Sequence, residues 1–201
     1  FRQDTVLGPE VQTFAAPAFN SFEQSGQSVF SRDGTKYATT CRGALQLFVA
    51  DFDRCTGMLS NPKVYPVPMN QPYWPNPAHI DSATNGLAFS PSGRFLYVNG
   101  WSYIQQIDLQ APNPDSSWVN IANADTTANF SLYSSLYLGP DDKIYIGYWN
   151  GFSEAMSYIA NPDNKGAACN FCPRCLRFPI YYYSTGGYSP VTTPPCMPNY
   201  H

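Results

Sequence analysis

The sequence predicts an all-β protein of the β-propeller type, with three to four four-stranded antiparallel blades. A hairpin pattern occurs three times, beginning at Phe30, Phe89 and Leu138, which gives intervals of 59 and 49 residues. Self-similarity at periods of this size is typical of propeller blades. In addition, no segment keeps apolar residues at i, i+3, i+4 and i+7 without an interrupting Pro or Gly, so helices are not expected.

Each hairpin has the same four parts. An apolar strand end leads into a tight turn built from Pro, Asp, Ser and Gly, and a basic residue then precedes a second strand that alternates aromatic and aliphatic side chains. A third strand that ends in Asp or Asn follows at 45–53, 103–109 and 155–163. A fourth strand is clearest at 117–122, which completes the four-stranded sheet of a blade.

These segments divide the chain into six parts. We expect a strand or linker from or towards a preceding blade, a first blade, a Pro-rich loop, a second blade, a third blade and a tail that closes onto the propeller. Their respective bounds are 1–26, 27–69, 70–84, 85–123, 124–180 and 181–201.

Composition excludes several classes of protein. Charged residues make up 12% of the chain and the net charge is −3 without charge runs, so there is no basic stripe for nucleic acid. No stretch approaches the roughly 20 apolar residues of a membrane-spanning helix. The chain begins at Phe1 without Met or a signal-peptide pattern, which indicates a processed or excised piece. Six Cys, 19 Pro and few Lys resemble an extracellular or outer cell-surface protein.

Five sequence features carry a family resemblance. They are Leu47–Gly57 with 59–62, Gly86–Val98, Leu138–Ile146, Asn161–Asp163 with Gly166 and Cys169, and Met197–Tyr200. In this order they resemble the secreted β-propeller (WD40-like) proteins of gliding bacteria, whose chains commonly continue into a type IX secretion sorting domain. The resemblance implies surface display and a role in adhesion, gliding or envelope assembly, and it names no ligand.

The same resemblance implies that blades precede Phe1 and that Met197–His201 approaches the end of the propeller. A propeller closes with about four to eight blades, so three blades form an open arc. We therefore expect the C-terminal half of a larger propeller. The region 170–177 departs from the family because it carries additional cysteines.

The leading functional hypothesis is a non-catalytic scaffold that presents loops to other envelope or surface proteins or to glycans. It needs no cofactor and no catalytic residue. The alternative is a calcium-dependent, lactonase-like enzyme with a site on the propeller axis, which requires carboxylates from several blades. A third hypothesis is a structural subunit of an envelope machine, which the sequence does not separate from the first.

Four cysteines near the C-terminus are candidate disulfide partners: Cys169, Cys172, Cys175 and Cys196. Their spacing also matches an iron–sulfur cluster or a four-thiolate zinc site. A secreted composition favours disulfides that tie the last strand to the tail, with Cys175 and Cys196 as one pairing. Cys41 and Cys55 are predicted not to be joined, since a hairpin turning near Gly43 places them at opposite ends.

His79 is the one histidine inside the chain and thus the one candidate general base of its type. No G-x-S-x-G signature accompanies it, so we interpret it as a solvated loop residue. Most aspartates fall at repeated turn or strand-end positions, where the side chain bonds nearby backbone. Those interpreted as structural are Asp33, Asp51, Asp53, Asp108, Asp141 and Asp163.

Three short signals resemble the O-glycosylation sites of secreted proteins in the same bacteria. They begin at aspartates and place the acceptor hydroxyl on Thr5, Ser82 and Thr126. All three fall in predicted loops, where a glycosyltransferase could reach them.

Overall fold

The computed structural model describes residues 11–14, 26–41, 45–68, 84–124, 132–148, 155–178, 181–182 and 190–191. Within these residues the chain forms three sheets of four antiparallel strands and one two-stranded sheet. Secondary structure other than strands consists there of two short 3-10 segments, Pro114–Ser116 and Gly166–Cys169. The all-β propeller architecture is therefore confirmed.

Each four-stranded sheet is one blade. Blade 1 contains β1 (Ser28–Phe30), β2 (Lys36–Cys41), β3 (Gln46–Phe52) and β4 (Leu59–Pro66). Blade 2 contains β5 (Gly86–Phe89), β6 (Phe95–Asn99), β7 (Tyr103–Asp108) and β8 (Val119–Asn123). Blade 3 contains β9 (Tyr133–Leu138), β10 (Ile144–Tyr148), β11 (Ala155–Ile159) and β12 (Phe171–Arg177). A short pair follows, β13 (Tyr181–Tyr182) with β14 (Pro190–Val191).

The strands of each blade pair in sequence order. The predicted third strands correspond to β3, β7 and β11, and the predicted fourth strand corresponds to β8, which begins two residues later than expected at Val119. Consecutive strands pair in this order because tight turns join antiparallel neighbours at low cost in chain entropy.

The first turn of each blade is held by its own side chains. In blade 1, Asp33 accepts hydrogen bonds from the Thr35 backbone N–H at 3.0 Å and from the Ser31 hydroxyl at 2.6 Å. Gly34 has a φ of +68°, a conformation that glycine adopts without a steric penalty. The predicted turn composition thus fixes the hairpin.

Two hydrophobic clusters hold the blades together. One cluster lies between blades 1 and 2 and includes Leu47, Tyr65, Phe89 and Ile107. The other lies between blades 2 and 3 and includes residues such as Tyr97. Every residue of β5, β6 and β7 is buried, because blade 2 is covered on both faces.

The hairpin of blade 3 is one residue shorter than the other two. Phe30 pairs with Tyr37 and Phe89 with Leu96, which leaves six residues between the partners in each case. Leu138 pairs with Ile144, which leaves five. The repeat positions therefore match Tyr37 with Leu96 and Ile144, and Ala38 with Tyr97 and Tyr145.

This correspondence shows a rotation from blade to blade. Tyr97 faces blade 3 and Leu96 faces blade 1. Ala38 in blade 1 and Ile144 in blade 3 occupy the matching sides, towards blade 2. Each blade thus presents the same face to the next one, as radial packing requires.

In the part of the chain that the structure describes, no helix has the length and apolar character to cross a membrane.

Candidate functional site at the propeller axis

Gln27 joins the innermost strands of the three blades. Its side-chain oxygen accepts hydrogen bonds from the backbone N–H of Leu87 in β5 at 3.1 Å and of Leu136 in β9 at 3.2 Å. Its side-chain nitrogen donates to the carbonyl of Leu136 at 2.7 Å. The Gln27 carbonyl also accepts from the Thr40 N–H at 3.3 Å. One amide therefore satisfies backbone groups of two blades from a position next to β1.

A second polar contact between blades begins at the end of β6. Asn99 is fully buried, and its side-chain nitrogen donates to the carbonyls of Gly100 and Ser134, each at 2.8 Å. The side-chain oxygen of Asn99 and the side-chain nitrogen of Asn85 are buried without a hydrogen-bond partner. Blade 2 is thus tied to β9 by an amide that keeps one acceptor unused.

Gly86 allows the inner strands to approach closely. A Cβ atom on this residue would lie 2.6 Å from the Ser134 carbonyl oxygen and 2.9 Å from the Leu136 nitrogen. It would also meet the Asn99 side-chain oxygen. Only glycine fits where β5 and β9 come together.

A third contact joins blades 1 and 2. The hydroxyls of Thr40 and Thr84 form a hydrogen bond between buried side chains. The axial cluster, defined as Gln27, Thr40, Thr84, Asn85, Asn99 and Ser134, is thus composed of amides and hydroxyls and carries no charge.

The aspartates interpreted as structural from the sequence all serve turns, strand ends or ion pairs. Hydrogen bonds from Ser31 and Thr35 hold the pKa of Asp33 below its ordinary value, and the Cys55 N–H does the same for Asp53. The Asn61 amide, followed by Lys36, lowers the pKa of Asp51. These carboxylates are hydrogen-bonded within their own blade and are not aimed at the axis.

Asp108 forms the most buried of these ion pairs. Its side chain is 4% exposed, and Arg94 donates to both carboxylate oxygens, at 3.1 and 2.8 Å. The guanidinium hydrogen bonds lower the pKa of Asp108 against the opposing effect of burial. Arg94, the basic residue that follows the repeated turn in blade 2, thus neutralises a buried carboxylate of its own blade.

Asp163 and Asp141 lie at the edge where the tight turns cluster. Asp163 in blade 3 accepts from the Ser92 N–H at 3.1 Å and from the Ser92 hydroxyl at 2.5 Å, which links blades 2 and 3. Burial opposes ionisation of Asp163, but the hydroxyls of Ser90 and Ser92 bring its pKa below the ordinary value. Asp141 accepts from Lys143 and Tyr145, and these bonds likewise outweigh burial and lower its pKa.

Tyr97 centres a buried network between blades 2 and 3. Its hydroxyl donates to the Pro162 carbonyl at 2.9 Å and accepts from the Gln106 side-chain nitrogen at 2.6 Å. Gln106 also donates to the Asn164 carbonyl and accepts from the Gly166 N–H, both at 2.8 Å. Burial strongly raises the pKa of Tyr97, so the phenol stays protonated as a structural hydrogen-bonding group.

Cys169 belongs to this network and forms no disulfide, which corrects its placement among the disulfide candidates. The thiol is fully buried and contacts the Tyr97 hydroxyl. Burial raises the pKa of the thiol, which keeps it protonated and unreactive.

The disulfide in this region joins Cys172 to Cys175, with Cα atoms 5.7 Å apart. The predicted bond between Cys175 and Cys196 is therefore wrong, because Cys175 is bonded to Cys172. The cause is a bulge in β12. Tyr158 pairs with Cys172 and Met156 with Leu176, which leaves three residues of β12 opposite the single Ser157.

Within the bulge, Arg174 adopts a φ of +53°. Its N–H donates to the Ser157 hydroxyl at 2.9 Å, and that hydroxyl lies 2.5 Å from the Tyr148 hydroxyl. This bulge brings Cys172 and Cys175 together within β12. Cys55 is exposed and unbridged, so it is not joined to Cys41, as the sequence predicted.

Several predicted positions lie outside the described residues: Thr5, His79, Ser82, Thr126 and Cys196. The structure places no group of three or more His, Cys, Asp or Glu side chains suited to a metal within the ranges that it describes. The structure bonds Cys172 to Cys175 and places Cys169 against Tyr97, so these three thiols are not arranged around a common iron–sulfur or zinc position.

Sequence reasoning did not identify Gln27 or Asn99. Both act on backbone groups that are distant in the chain, and such contacts leave no local pattern. A glycine at the start of an inner strand, Gly86, was the available signal of close backbone approach.

No family model and no curated protein matches this sequence. Solved structures do resemble it. A candidate 6-phosphogluconolactonase from Bacteroides uniformis is 18% identical with a TM-score of 0.47, covering 79% of this chain and 43% of that one. A candidate 6-phosphogluconolactonase from Bacteroides fragilis is 12% identical with a TM-score of 0.44, covering 66% and 33%.

The Swd1 β-propeller domain from Myceliophteria thermophila is 12% identical with a TM-score of 0.39, covering 76% of this chain and 57% of that one. The chain thus spans less than two thirds of the length of each of these proteins. The similarity concerns the fold, and fold alone does not assign an activity.

Proposed function

We propose that this chain is a non-catalytic propeller scaffold, displayed at the outer cell surface or secreted, that binds other envelope proteins or glycans through loops at one edge of its blades. The single observation that supports it most is the axial cluster. Where propeller enzymes need reactive groups, the described residues on and beside the inner strands bring together amides and hydroxyls that bind backbone or each other, as Gln27 binds Leu87 and Leu136.

The topology gives the two edges of the disc different kinds of connection. Tight turns join β1 to β2, β5 to β6 and β9 to β10 at one edge. The connection from blade 1 to blade 2, residues 67–85, starts and ends at the opposite edge and is much longer. Variable loops on a rigid scaffold are the usual place for recognition.

This connection is rich in proline and also contains Tyr73, Trp74 and the acceptor Ser82. Tyr and Trp side chains offer rigid apolar surface with a polar tip, which suits contacts with sugars and proteins. We therefore assign recognition to the edge that carries residues 67–85, and glycosylation at Thr5, Ser82 and Thr126 belongs to the same proposal.

Replacement of residues 69–83 with a Gly/Ser linker tests this assignment. We expect the variant to keep the thermal unfolding midpoint within a few degrees and to lose binding on glycan arrays and on isolated outer-membrane proteins. The control is Asp115→Ala, an exposed substitution at the opposite edge. Unchanged binding after the loop replacement would contradict the proposal.

A calcium-dependent enzyme is the second candidate, and one observation favours it. The buried Asn99 side-chain oxygen has no hydrogen-bond partner, and amide oxygens are Ca²⁺ ligands. Calcium binds six to eight oxygens, however, and the described residues bring no group of carboxylates to Asn99. Calcium titration by calorimetry separates the candidates: binding that Asn99→Ala abolishes would favour the enzyme, and no heat of binding would favour the scaffold.

A further inference from the structure

We propose that the disulfide between Cys172 and Cys175 is redox-active. It takes part in thiol–disulfide exchange with thiols that approach the outer edge of blade 3, and the exposed sulfur of Cys175 is the one that they attack. The proposal concerns the last strand of blade 3. It does not depend on the ligand of the scaffold or on the number of blades in the ring.

The disulfide lies on the outermost strand of blade 3. The strand order is β12, β11, β10 and β9, so β12 forms one edge of the sheet. Within this strand Cys175 is exposed and Cys172 is half-buried. Exchange proceeds through a mixed disulfide, so an incoming thiolate needs direct access to one of the two sulfur atoms. The difference in exposure therefore favours attack at Cys175.

The bond adds little as a link between distant parts of the chain. Its two cysteines are three positions apart, so the loop that it closes is short. The stabilisation that a disulfide gives by restricting the unfolded chain grows with the length of this loop. Ladder pairs with β11 already hold the strand on both sides of the bulge, Tyr158 with Cys172 and Met156 with Leu176. We therefore expect the fold to survive reduction and the two cysteines to stay within reach of each other.

The bulge that the disulfide spans holds Arg174 in an unfavourable backbone conformation. The φ of Arg174 is +53°, in the left-handed region, where a Cβ atom comes too close to the backbone. Such a conformation persists only while the surrounding structure enforces it. Two constraints do so here, the disulfide itself and the hydrogen bond from the Arg174 N–H to the Ser157 hydroxyl at 2.9 Å. Reduction removes the first constraint, so the disulfide form carries a cost from which the dithiol form is released.

Exposure and strain both make a disulfide easier to reduce than the relaxed, buried bonds that serve as structural links. This bond combines an exposed sulfur with a strained residue inside its loop. Cys169, by contrast, is fully buried against Tyr97. In the part of blade 3 that the structure describes, sulfur that an external thiol can reach is therefore confined to the disulfide.

The exchange has two steps. A thiolate of the partner attacks the Cys175 sulfur and forms a new S–S bond with it, while the bond to Cys172 breaks and Cys172 leaves as a thiolate. A second partner thiolate then attacks the partner sulfur of this mixed disulfide, which releases Cys175 as a thiolate and the partner as a disulfide. Both cysteines take up a proton from water. Two electrons thus pass from the partner thiols to the protein, and the reverse sequence returns them.

Reduction of the folded 201-residue chain tests the proposal, with reduced glutathione and reduced thioredoxin as the two probes. Thiols are alkylated after an acid quench and located by tryptic peptide mapping. We expect Cys172 and Cys175 to become alkylated without urea, while circular dichroism shows an unchanged sheet signal. Reduction by either probe supports the proposal, and the faster probe at equal thiol concentration shows whether small thiols or protein thiols are the partners.

The matched control for this experiment is Cys55→Ser, which removes an exposed thiol from blade 1 and should leave the reduction unchanged. A bond that both probes reduce only in urea would be a structural link, and the proposal would be wrong. A peptide map that joins residues 175–177 to any peptide other than 166–174 would overturn it as well.

Substitutions at Arg174 test the source of the reactivity. Arg174→Gly keeps the bulge without the steric cost, because glycine adopts positive φ freely. We expect the ratio of dithiol to disulfide, in a fixed glutathione buffer, to fall by about tenfold. Arg174→Ala removes the same charge but retains a Cβ, so it should change this ratio by less than about threefold. Equal ratios for the two variants would contradict the proposal.

Single-cysteine variants identify the sulfur that is attacked. In Cys172→Ser, oxidised glutathione should form a mixed disulfide on the peptide 175–177. In Cys175→Ser, the corresponding reaction at Cys172 should be at least about tenfold slower, since this residue is half-buried. Faster reaction at Cys172 would overturn the assignment of the attack to Cys175.

Discussion

The side-chain oxygen of Gln27 accepts a hydrogen bond from the backbone N–H of Leu136, 109 residues further along the chain. The same oxygen binds the N–H of Leu87. Blades 2 and 3 are therefore both joined to the first strand through one side-chain amide. The residues on either side of Gln27 in the sequence are exposed, yet the packing of the three blades depends on Gln27.

Gln27→Ala removes three side-chain hydrogen bonds and leaves the N–H of Leu87 and Leu136 without this acceptor. We expect a loss of about 2 kcal/mol in the free energy of unfolding, measured by urea denaturation. Gln110→Ala, which alters an exposed glutamine, is the control and should change it by less than about 0.5 kcal/mol. Equal stabilities of the two variants would mean that Gln27 does not link the blades.

Gly86→Ala places a Cβ against the Ser134 carbonyl and the Leu136 nitrogen, which are backbone atoms and cannot turn aside. We expect a destabilisation of about 3 kcal/mol. Gly57→Ala is the matched control, since its Cβ meets nothing within 4 Å and the cost of about 1 kcal/mol comes from its φ of +75° alone. Thermal unfolding of the two variants side by side gives the comparison, and a smaller loss for Gly86→Ala would contradict the close approach of β5 and β9.

These residues mark where sequence-based prediction succeeded and where it did not. The three hairpins were identifiable because turn chemistry and strand alternation are local properties, as at Asp33 and Gly34. The pairing of Cys172 with Cys175 was not, because it depends on a bulge with Arg174 at positive φ, a conformation that its sequence does not require. Gln27 was missed because its partners lie in other blades.

Tyr97 provides a prediction about pH. Burial raises its pKa above the ordinary value of 10.0, so the folded state holds the phenolic proton more tightly than the unfolded state. The resulting stability is complete below about pH 10 and is lost as the pH rises further. We expect the wild type to lose stability more steeply than Tyr97→Phe above about pH 10, measured by urea unfolding. Parallel stability curves for the two proteins at high pH would refute the buried, protonated phenol.

Tyr97→Phe should also lower the free energy of unfolding at about pH 7, by about 1–2 kcal/mol, because the Pro162 carbonyl loses its donor.

Peptide mapping tests the disulfide directly, because trypsin cuts between the two cysteines, after Arg174. Without reduction, we expect residues 166–174 to remain attached to residues 175–177 and to separate on reduction. A link from residues 175–177 to the C-terminal peptide would instead support the bond to Cys196.

Cys169 lies in the peptide 166–174 and should react with a thiol reagent only after the protein is unfolded, since its side chain is fully buried.

The first three strands of blade 2 are buried along their whole length, because the blades on either side cover both of their faces. The arc therefore has no seam along which it could separate into two stable pieces. Loss of either flanking blade would expose a buried face of blade 2 to water. Heat or denaturant should therefore unfold all three blades in a single cooperative transition.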